Sequence, residues 1–164
     1  MKTMKGNPIT VLGEVLHVGD IAKDAVLVNQ NLGETKLSSF KNDYLVISVV
    51  PSLDTSVCDL QTRQINERLA SYKHVDVITI SNDLPFAQKR WCGAAGLNIV
   101  TLSDHKDLDF AMKYGVLIQE LRLLARSIFV LDKHRKVLYV EYLDEMSQHP
   151  NYDRLFEFIE SLKK

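Results

Sequence analysis

YLVISVVPSLDTSVCDL, residues 44–60, runs from an apolar, β-branched stretch through a proline into a segment of helical pattern that carries one of the chain's two cysteines. YLVISVV reads as a buried strand, and Pro51 ends it by removing a backbone donor. The following helix is predicted from about Val57 to about Tyr72, with Val57, Leu60, Ile65 and Leu69 on one stripe and Arg63, Asn66, Glu67 and Arg68 towards water. Ser56 and Asp59 fit a capping box at its start.

Downstream, VDVITIS (75–81) is the next strand, and SNDLPFAQKRWCGAAGL opens a second helix. Asp83 is its expected cap, Pro85 falls in the first turn and Gly93 near the end, so Cys92 lies close to a helix C-terminus. A short NIVTL strand precedes a helix in KDLDFAMKYG, in which Leu108, Ala111 and Met112 share a face and Gly115 is the stop. RSIFVLD and KVLYVEYL flank DKHR as an antiparallel hairpin. YDRLFEFIESLKK closes the chain as an amphipathic helix, with Leu155, Phe158, Ile159 and Leu162 inward and the lysines in its last turn. Upstream, ITVLG, AVLVN and TKLSSF read as small hairpins laid against the larger body. From Tyr44 the order is strand, helix, strand, helix, strand, strand, helix, with residues 99–114 as an insertion. It predicts an α/β fold: a central mixed sheet with helices on both faces, an order that also matches the thioredoxin fold.

With 164 residues, 46% of them hydrophobic, the chain has the size of one domain, residues 1–164. A formal net charge of -1 gives no long-range field for nucleic acid or an anionic membrane. No apolar run approaches the roughly 18 residues of a membrane span, and none of signal-peptide length follows the N-terminus. The expectation is a soluble, cytoplasmic protein, and in that reducing compartment a disulfide is transient and chemical. The five histidines (His17, His74, His105, His134 and His149) have no HExxH or CxxC companion, so no zinc site is expected. KHRK, 133–136, reads as a solvated hairpin tip.

A helix starting near Val57 puts Cys58 in its first turn, where unpaired N–H groups and the positive end of the macrodipole favour the nucleophilic thiolate. A free thiol with a pKa of about 8.5 is only about 3% ionised at neutral pH. Bringing a thiol to about 6 takes about 3.4 kcal/mol, at about 1.36 kcal/mol per unit. The dipole's roughly 0.3–2 kcal/mol falls short. A fixed cation is needed, and Arg63, Arg90, Arg122 and Arg126 are the candidates. Arg126 is the best placed, because it opens a strand beside the central one, and arginine stays charged with a fork of donors. Asp59 opposes ionisation unless its carboxylate is drawn elsewhere. Ionisation alone raises reactivity about thirtyfold. Fast chemistry therefore also needs donors aimed at a leaving oxygen: the Thr55 hydroxyl, the Cys58 N–H and the Arg126 fork can supply them, with Pro51 shielding the sulfur. Taken singly, each residue has a plainer role: a small core cysteine, a Thr cap, an ion-paired Arg, and Trp91 and Phe86 as packing. Their joint occurrence in one pattern is what distinguishes them.

PSLDTSVC fits the Pro-x-x-x-Thr-x-x-Cys loop of the peroxiredoxins, and SNDLPFAQKRWCG with LLARSIFVLD resembles their thiol peroxidase branch, the atypical two-cysteine group. The likeness runs through nearly the whole chain, including the opening GNPITV. This resemblance implies that Cys58 is the peroxidatic cysteine, Cys92 the resolving cysteine 34 positions on, and Pro51, Thr55 and Arg126 the other active-site members. It also implies a thioredoxin-like fold with an N-terminal β-hairpin extension, a homodimer, recycling by thioredoxin and no cofactor. Hydrogen peroxide and organic hydroperoxides are the implied substrates. In IQELRLLAR the chain departs from members that carry a glycine before the motif arginine. A disulfide needs Cα atoms roughly 4.4–6.8 Å apart. With Cys58 starting one helix and Cys92 ending another, the reduced protein is expected to keep them apart, and the end followed by Gly93 and Gly96 to open locally. The alternative is a redox-sensing disulfide switch or binding module in which peroxide turnover is incidental.

Overall fold

The computed structural model describes residues 1–97 and 99–162; Asn98, the first residue of NIVTL, and the closing Lys163 and Lys164 lie outside the described residues. The chain begins with β1 (Lys2–Met4), β2 (Asn7–Ile9), β3 (Val11–Leu12), β4 (Val26–Val28) and β5 (Glu34–Lys36). It continues through β6 (Tyr44–Val49), α1 (Ser56–Leu69), β7 (Val75–Ser81), α2 (Pro85–Ala95), β8 (Val100–Ser103) and α3 (Asp109–Tyr114). Two short strands, β9 (Leu117–Ile118) and β10 (Leu123–Leu124), precede β11 (Ser127–Asp132), β12 (Val137–Tyr142) and α4 (Tyr152–Ser161).

Seven strands form one mixed sheet in the order β12-β11-β6-β7-β8-β4-β5. β6, β7 and β8 run parallel, and the pairs outside them are antiparallel. The strand period of two sorts the apolar run of β6 onto two faces. Leu45, Ile47 and Val49 join the core built around Phe110, Tyr114 and Phe129, while Val46 joins Ile65, Leu69, Leu155 and Ile159 beneath α1 and α4. Strand β11 repeats the division, with Phe129 and Leu131 on the first face and Ile128 and Val130 on the second. The predicted α/β sheet with helices on both faces is what forms.

Several local expectations change. Helix α1 buries Cys58, Gln61, Thr62, Ile65 and Leu69, whereas Leu60 is 43% exposed and Val57 half-buried, so the inward stripe is one residue off the expected one at its start. Thr55, not Ser56, is the N-cap, and Asp59 makes no capping box; its carboxylate is taken by Arg63 and Trp91. Asp83 does not cap α2, whose N-cap is Leu84. It accepts instead from Ser52 Oγ, the Leu53 N–H and Ser81 Oγ, which ties the loop after β6 to the end of β7. Residues 99–114 are not an insertion outside the sheet, because β8 pairs with β7 and α3 buries Phe110 and Tyr114 in the core. The ITVLG run is divided between β2 and β3, and β3 pairs with β9 rather than forming its own hairpin.

Helix α3 has its first N–H groups satisfied from a distance. The carboxylate of Asp104 accepts from Phe110 N at 3.0 Å and Ala111 N at 2.8 Å. Burial pushes this carboxyl up to about 6, against the pull of those two N–H groups. The folded state therefore holds the Asp104 proton more tightly than the unfolded chain. Stability that this group costs at neutral pH returns as the pH falls from about 6 to about 4. Asp104→Asn removes the titration but keeps only one of the two acceptor oxygens and turns its NH2 against the other N–H, so it is expected to flatten the profile between about pH 4 and 6 without raising stability at pH 7. Urea melts of both proteins at pH 7 and 4.5 check this.

Candidate active site

Helix α1 lies antiparallel over β6, so the strand residues that face it meet successive turns of the helix. Val46 packs with Ile65 and Leu69, Ser48 Oγ accepts from Gln61 Nε2 at 2.9 Å, and Val50 packs with Leu53 and Cys58. Cys58 is wholly buried in the first turn. The helical ladder begins with Asp59 N–H to the Thr55 carbonyl at 2.9 Å, so the N–H of Cys58 precedes the ladder. Thr55 is extended, at φ -96 and ψ 151, and its hydroxyl donates to the Ser52 carbonyl at 3.1 Å.

Arg126 reaches this sulfur from the neighbouring strand. Ser127 stands opposite Val49 in the β11–β6 ladder, which sets Arg126 beside the end of β6 where Pro51 opens the loop. Its guanidinium is fully spread: Nε donates to Met146 O at 2.8 Å, Nη1 to Gln61 Oε1 at 2.8 Å and Nη2 to Cys58 Sγ at 3.1 Å. Arg126 is 2% exposed, and among the described residues no carboxylate lies within ion-pair distance of it. A buried cation without a carboxylate needs acceptors for its donors, and this sulfur is one of them. The other candidate cations are engaged or remote in role. Arg63 pairs with Asp59 at 2.9 Å, Arg90 approaches Asp54 at 4.0 Å, and Arg122 is exposed in a turn. Arg122 takes a positive φ of 54, the left-handed conformation that a glycine adopts without strain. The Asp59 carboxylate is drawn off by Arg63 and by Trp91, whose Nε1 donates to it at 2.9 Å.

A cavity of about 440 Å³ adjoins the sulfur's surroundings. Pro51, Thr55, Val57 and Arg126 line it from the core side, and Met4, Leu123 and Met146 supply apolar wall. Its outer wall is held by Glu145. That carboxylate accepts from Thr3 Oγ1, the Lys5 and Gly6 N–H groups, and both the N–H and hydroxyl of Ser147, so it joins the β1–β2 turn to the segment carrying Met146. The Ser147 hydroxyl and the Gly6 and Ser147 N–H groups hold the Glu145 carboxyl well below its ordinary range.

The structure thus brings Pro51, Thr55 and Arg126 together around one cavity, and Cys58, wholly buried, meets it only through the contact of its sulfur with Arg126. Cys92 is not among its lining residues. It is buried near the end of α2, where Gln30 Nε2 donates to Thr101 Oγ1 at 2.5 Å and approaches Cys92 Sγ at 3.6 Å. Burial pushes the Cys92 thiol up, so in this seat it keeps its proton at neutral pH. Both cysteines are free thiols. Among the described residues no group of three or more His, Cys, Asp or Glu side chains is arranged to hold a metal ion.

A thioredoxin-like sheet with a cysteine in the first turn of the helix after its central strand defines a class, and comparison agrees: the chain belongs to the redoxin family, whose Redoxin model matches residues 17–156. It is 52% identical over 163 residues to the thiol peroxidase of Bacillus subtilis (strain 168), covering 99% of this chain and 98% of that one. Among solved structures, a peroxiredoxin-like protein from Aquifex aeolicus superposes with a TM-score of 0.91 at 42% identity, covering 98% of this chain and 96% of that one. The thiol peroxidase from Chromobacterium violaceum gives a TM-score of 0.89 at 25% identity, covering 99% and 97%. Within the family the chain falls in the thiol peroxidase branch of the peroxiredoxins.

Sequence reasoning did not single out Gln61, Met146, Glu145 or Gln30 and took Asp83 only as a helix cap; each acts through a tertiary contact. Gln61 offered one signal: a glutamine three residues after the cysteine, on the face that also carries Ile65. Its amide ties Ser48 to Arg126, and an apolar replacement leaves a buried Arg126 donor unpaired. Gln61→Leu is expected to slow the reaction of Cys58 with hydrogen peroxide by about tenfold or more, as read by rapid-mixing oxidation at pH 7.

Proposed function

We propose that this thiol peroxidase reduces peroxides through Cys58 as the peroxidatic cysteine and Cys92 as the resolving cysteine, in a cycle closed by thioredoxin. The observation that carries this reading is the 3.1 Å contact from Arg126 Nη2 to the buried Cys58 sulfur, next to a cavity of about 440 Å³. A peroxide enters between Pro51, Thr55 and Arg126. The thiolate attacks the terminal oxygen, the O–O bond breaks, and water or an alcohol leaves after taking up a proton, with Cys58 left as a sulfenic acid. Two kinds of donor stand ready for the developing charge. Arg126 has N–H groups beyond the three already engaged, and the Cys58 N–H belongs to the unladdered first turn. Thr55, which lines the cavity, orients the peroxide through its hydroxyl.

Cys92 then attacks the Cys58 sulfur. The S–O bond breaks, hydroxide leaves and takes up a proton as water, and an intrachain disulfide forms. An external dithiol reduces it by exchange, so the protein requires no metal, flavin or haem. Exposed apolar side chains at the start of α2, Leu84 at 52% and Phe86 at 68%, together with Leu121 at 45%, support a homodimer. Asn82 Nδ2 donates to the Arg122 carbonyl at 2.6 Å, which ties those two segments together. No described helix is long and apolar enough to cross a membrane, and the reducing chemistry suits the cytoplasm. We take residues 1–164 as a single domain.

Intact mass after treatment with one equivalent of hydrogen peroxide tests the assignment. The native chain is expected to form an internal disulfide, Cys92→Ser to carry one oxygen on Cys58, and Cys58→Ser to stay unmodified on the same timescale. An unmodified Cys92→Ser protein, in the presence of a sulfenic-acid trap, contradicts it.

A further inference from the structure

We propose that Asp59, Arg63 and Trp91 form a clasp between α1 and α2 that keeps Cys92 in its buried seat, and that releasing this clasp sets the rate at which Cys92 reaches oxidised Cys58. The proposal rests on the peroxidase reading above and deepens it. Asp59 and Trp91 act here as positioning residues for the resolving step.

The geometry is specific. One Asp59 oxygen accepts from Trp91 Nε1 at 2.9 Å and the other from Arg63 Nε at 2.9 Å. The Arg63 guanidinium lies 5.4 Å from the centroid of the Trp91 ring, so the three side chains close on one another. Trp91 also packs against the cluster of Val50, Leu53 and Cys58. Among the described residues the Trp91–Asp59 bond is the side-chain hydrogen bond that joins the two helices. Its ends adjoin the two thiols in sequence: Asp59 follows Cys58, and Trp91 precedes Cys92.

Resolution has to break this arrangement. Asp83 ties the Ser52–Leu53 loop to the chain just before α2, which sets the starts of both helices at one edge of the sheet. Cys58 lies in the first turn of α1, whereas Cys92 stands about 10 Å along α2 from Pro85. Neighbouring helix axes add about 8–10 Å of lateral separation. Cα atoms so placed are outside disulfide range, and the last turn of α2 has to unwind. Backbone bonds alone hold that turn weakly: the Cys92 carbonyl accepts from Leu97 N–H at 3.1 Å, beside a left-handed Gly96. The clasp is what adds resistance, because Trp91 cannot leave with Cys92 while its N–H is held by Asp59.

The delay has a chemical consequence. While the clasp is shut, the Cys58 sulfenic acid is open to a second peroxide, which transfers one oxygen to give the sulfinic acid and leaves as water or an alcohol. Once it opens, the Cys92 sulfur displaces the oxygen of the sulfenic acid as water. The strength of the clasp therefore divides oxidised Cys58 between disulfide and sulfinic acid.

Rapid mixing of the reduced full-length chain with hydrogen peroxide, followed by acid quench and intact mass, separates the two steps. Trp91→Phe keeps the ring packing and deletes the donor; Asp59→Ala deletes the acceptor. Trp91→Phe, which leaves the Asp59–Arg63 pair in place, is expected to lose reduced Cys58 within about twofold of the native rate, and in each variant the resolving step is read from the adduct once formed. Conversion of the one-oxygen adduct to disulfide is expected to be about tenfold faster, the factor given by about 1.4 kcal/mol of lost hydrogen bonding. At excess peroxide their sulfinic fraction falls accordingly. Disulfide formation that is unchanged or slower in Trp91→Phe overturns the clasp while leaving the peroxidase reading intact. A native chain that forms neither adduct nor disulfide overturns both.

Discussion

A guanidinium that is 2% exposed and has no carboxylate partner among the described residues is costly unless its surroundings supply negative charge and hydrogen-bond acceptors. Arg126 meets that demand with three acceptors drawn from distant parts of the chain: the Gln61 amide, the Met146 carbonyl and the Cys58 sulfur. Much of the architecture around the site can be understood from this contact. The antiparallel register of β11 on β6 delivers the arginine, the placement of α1 over Val46, Ser48 and Val50 delivers the sulfur and the amide, and Glu145 fixes the segment that carries Met146. The N-terminal hairpin is part of the same construction. Its Thr3 pairs through backbone bonds with Asp144 and Met146, and its Met4 and Lys5 line the cavity.

In the proposed cycle the two cysteines face opposite physical requirements. Cys58 needs a rigid setting, since donors aimed at developing charge are effective only when they need no reorganisation. Cys92 needs a seat that it can leave. Its thiol is kept protonated by burial, with only a long contact from Gln30, and sits one turn from a helix end closed by Gly96. Rigidity at the start of α1 and release at the end of α2 are thus divided between two helices that touch through Trp91 and Asp59.

The main sheet was legible because period and punctuation agree in it. YLVISVV, VDVITIS and RSIFVLD are apolar runs bounded by turns, and each forms a sheet strand. The Cys58 loop was legible for a different reason: its residues lie within one short motif, and Arg126 opens a strand next to β6. What could not be read is where polarity serves a tertiary purpose. Gln61 and Thr62 count as hydrophilic, so the inward stripe of α1 was assigned to Leu60 instead, although Gln61 is buried to hold Arg126. Asp59 and Asp83 have the local signature of caps, yet their carboxylates reach Arg63 and Trp91, and Ser52 and Leu53. Gln30, Glu145 and Met146 meet the site only after the chain has folded, and no local spacing marks them.

The most direct test of this account is the second-order rate at which hydrogen peroxide oxidises Cys58 in an Arg126→Met protein carrying Cys92→Ser, compared with Cys92→Ser alone at pH 7. If the guanidinium supplies both charge and donors, the rate falls by about a hundredfold or more while circular dichroism and the melting transition show a folded protein. A folded variant that reacts within about threefold of the parent contradicts the account.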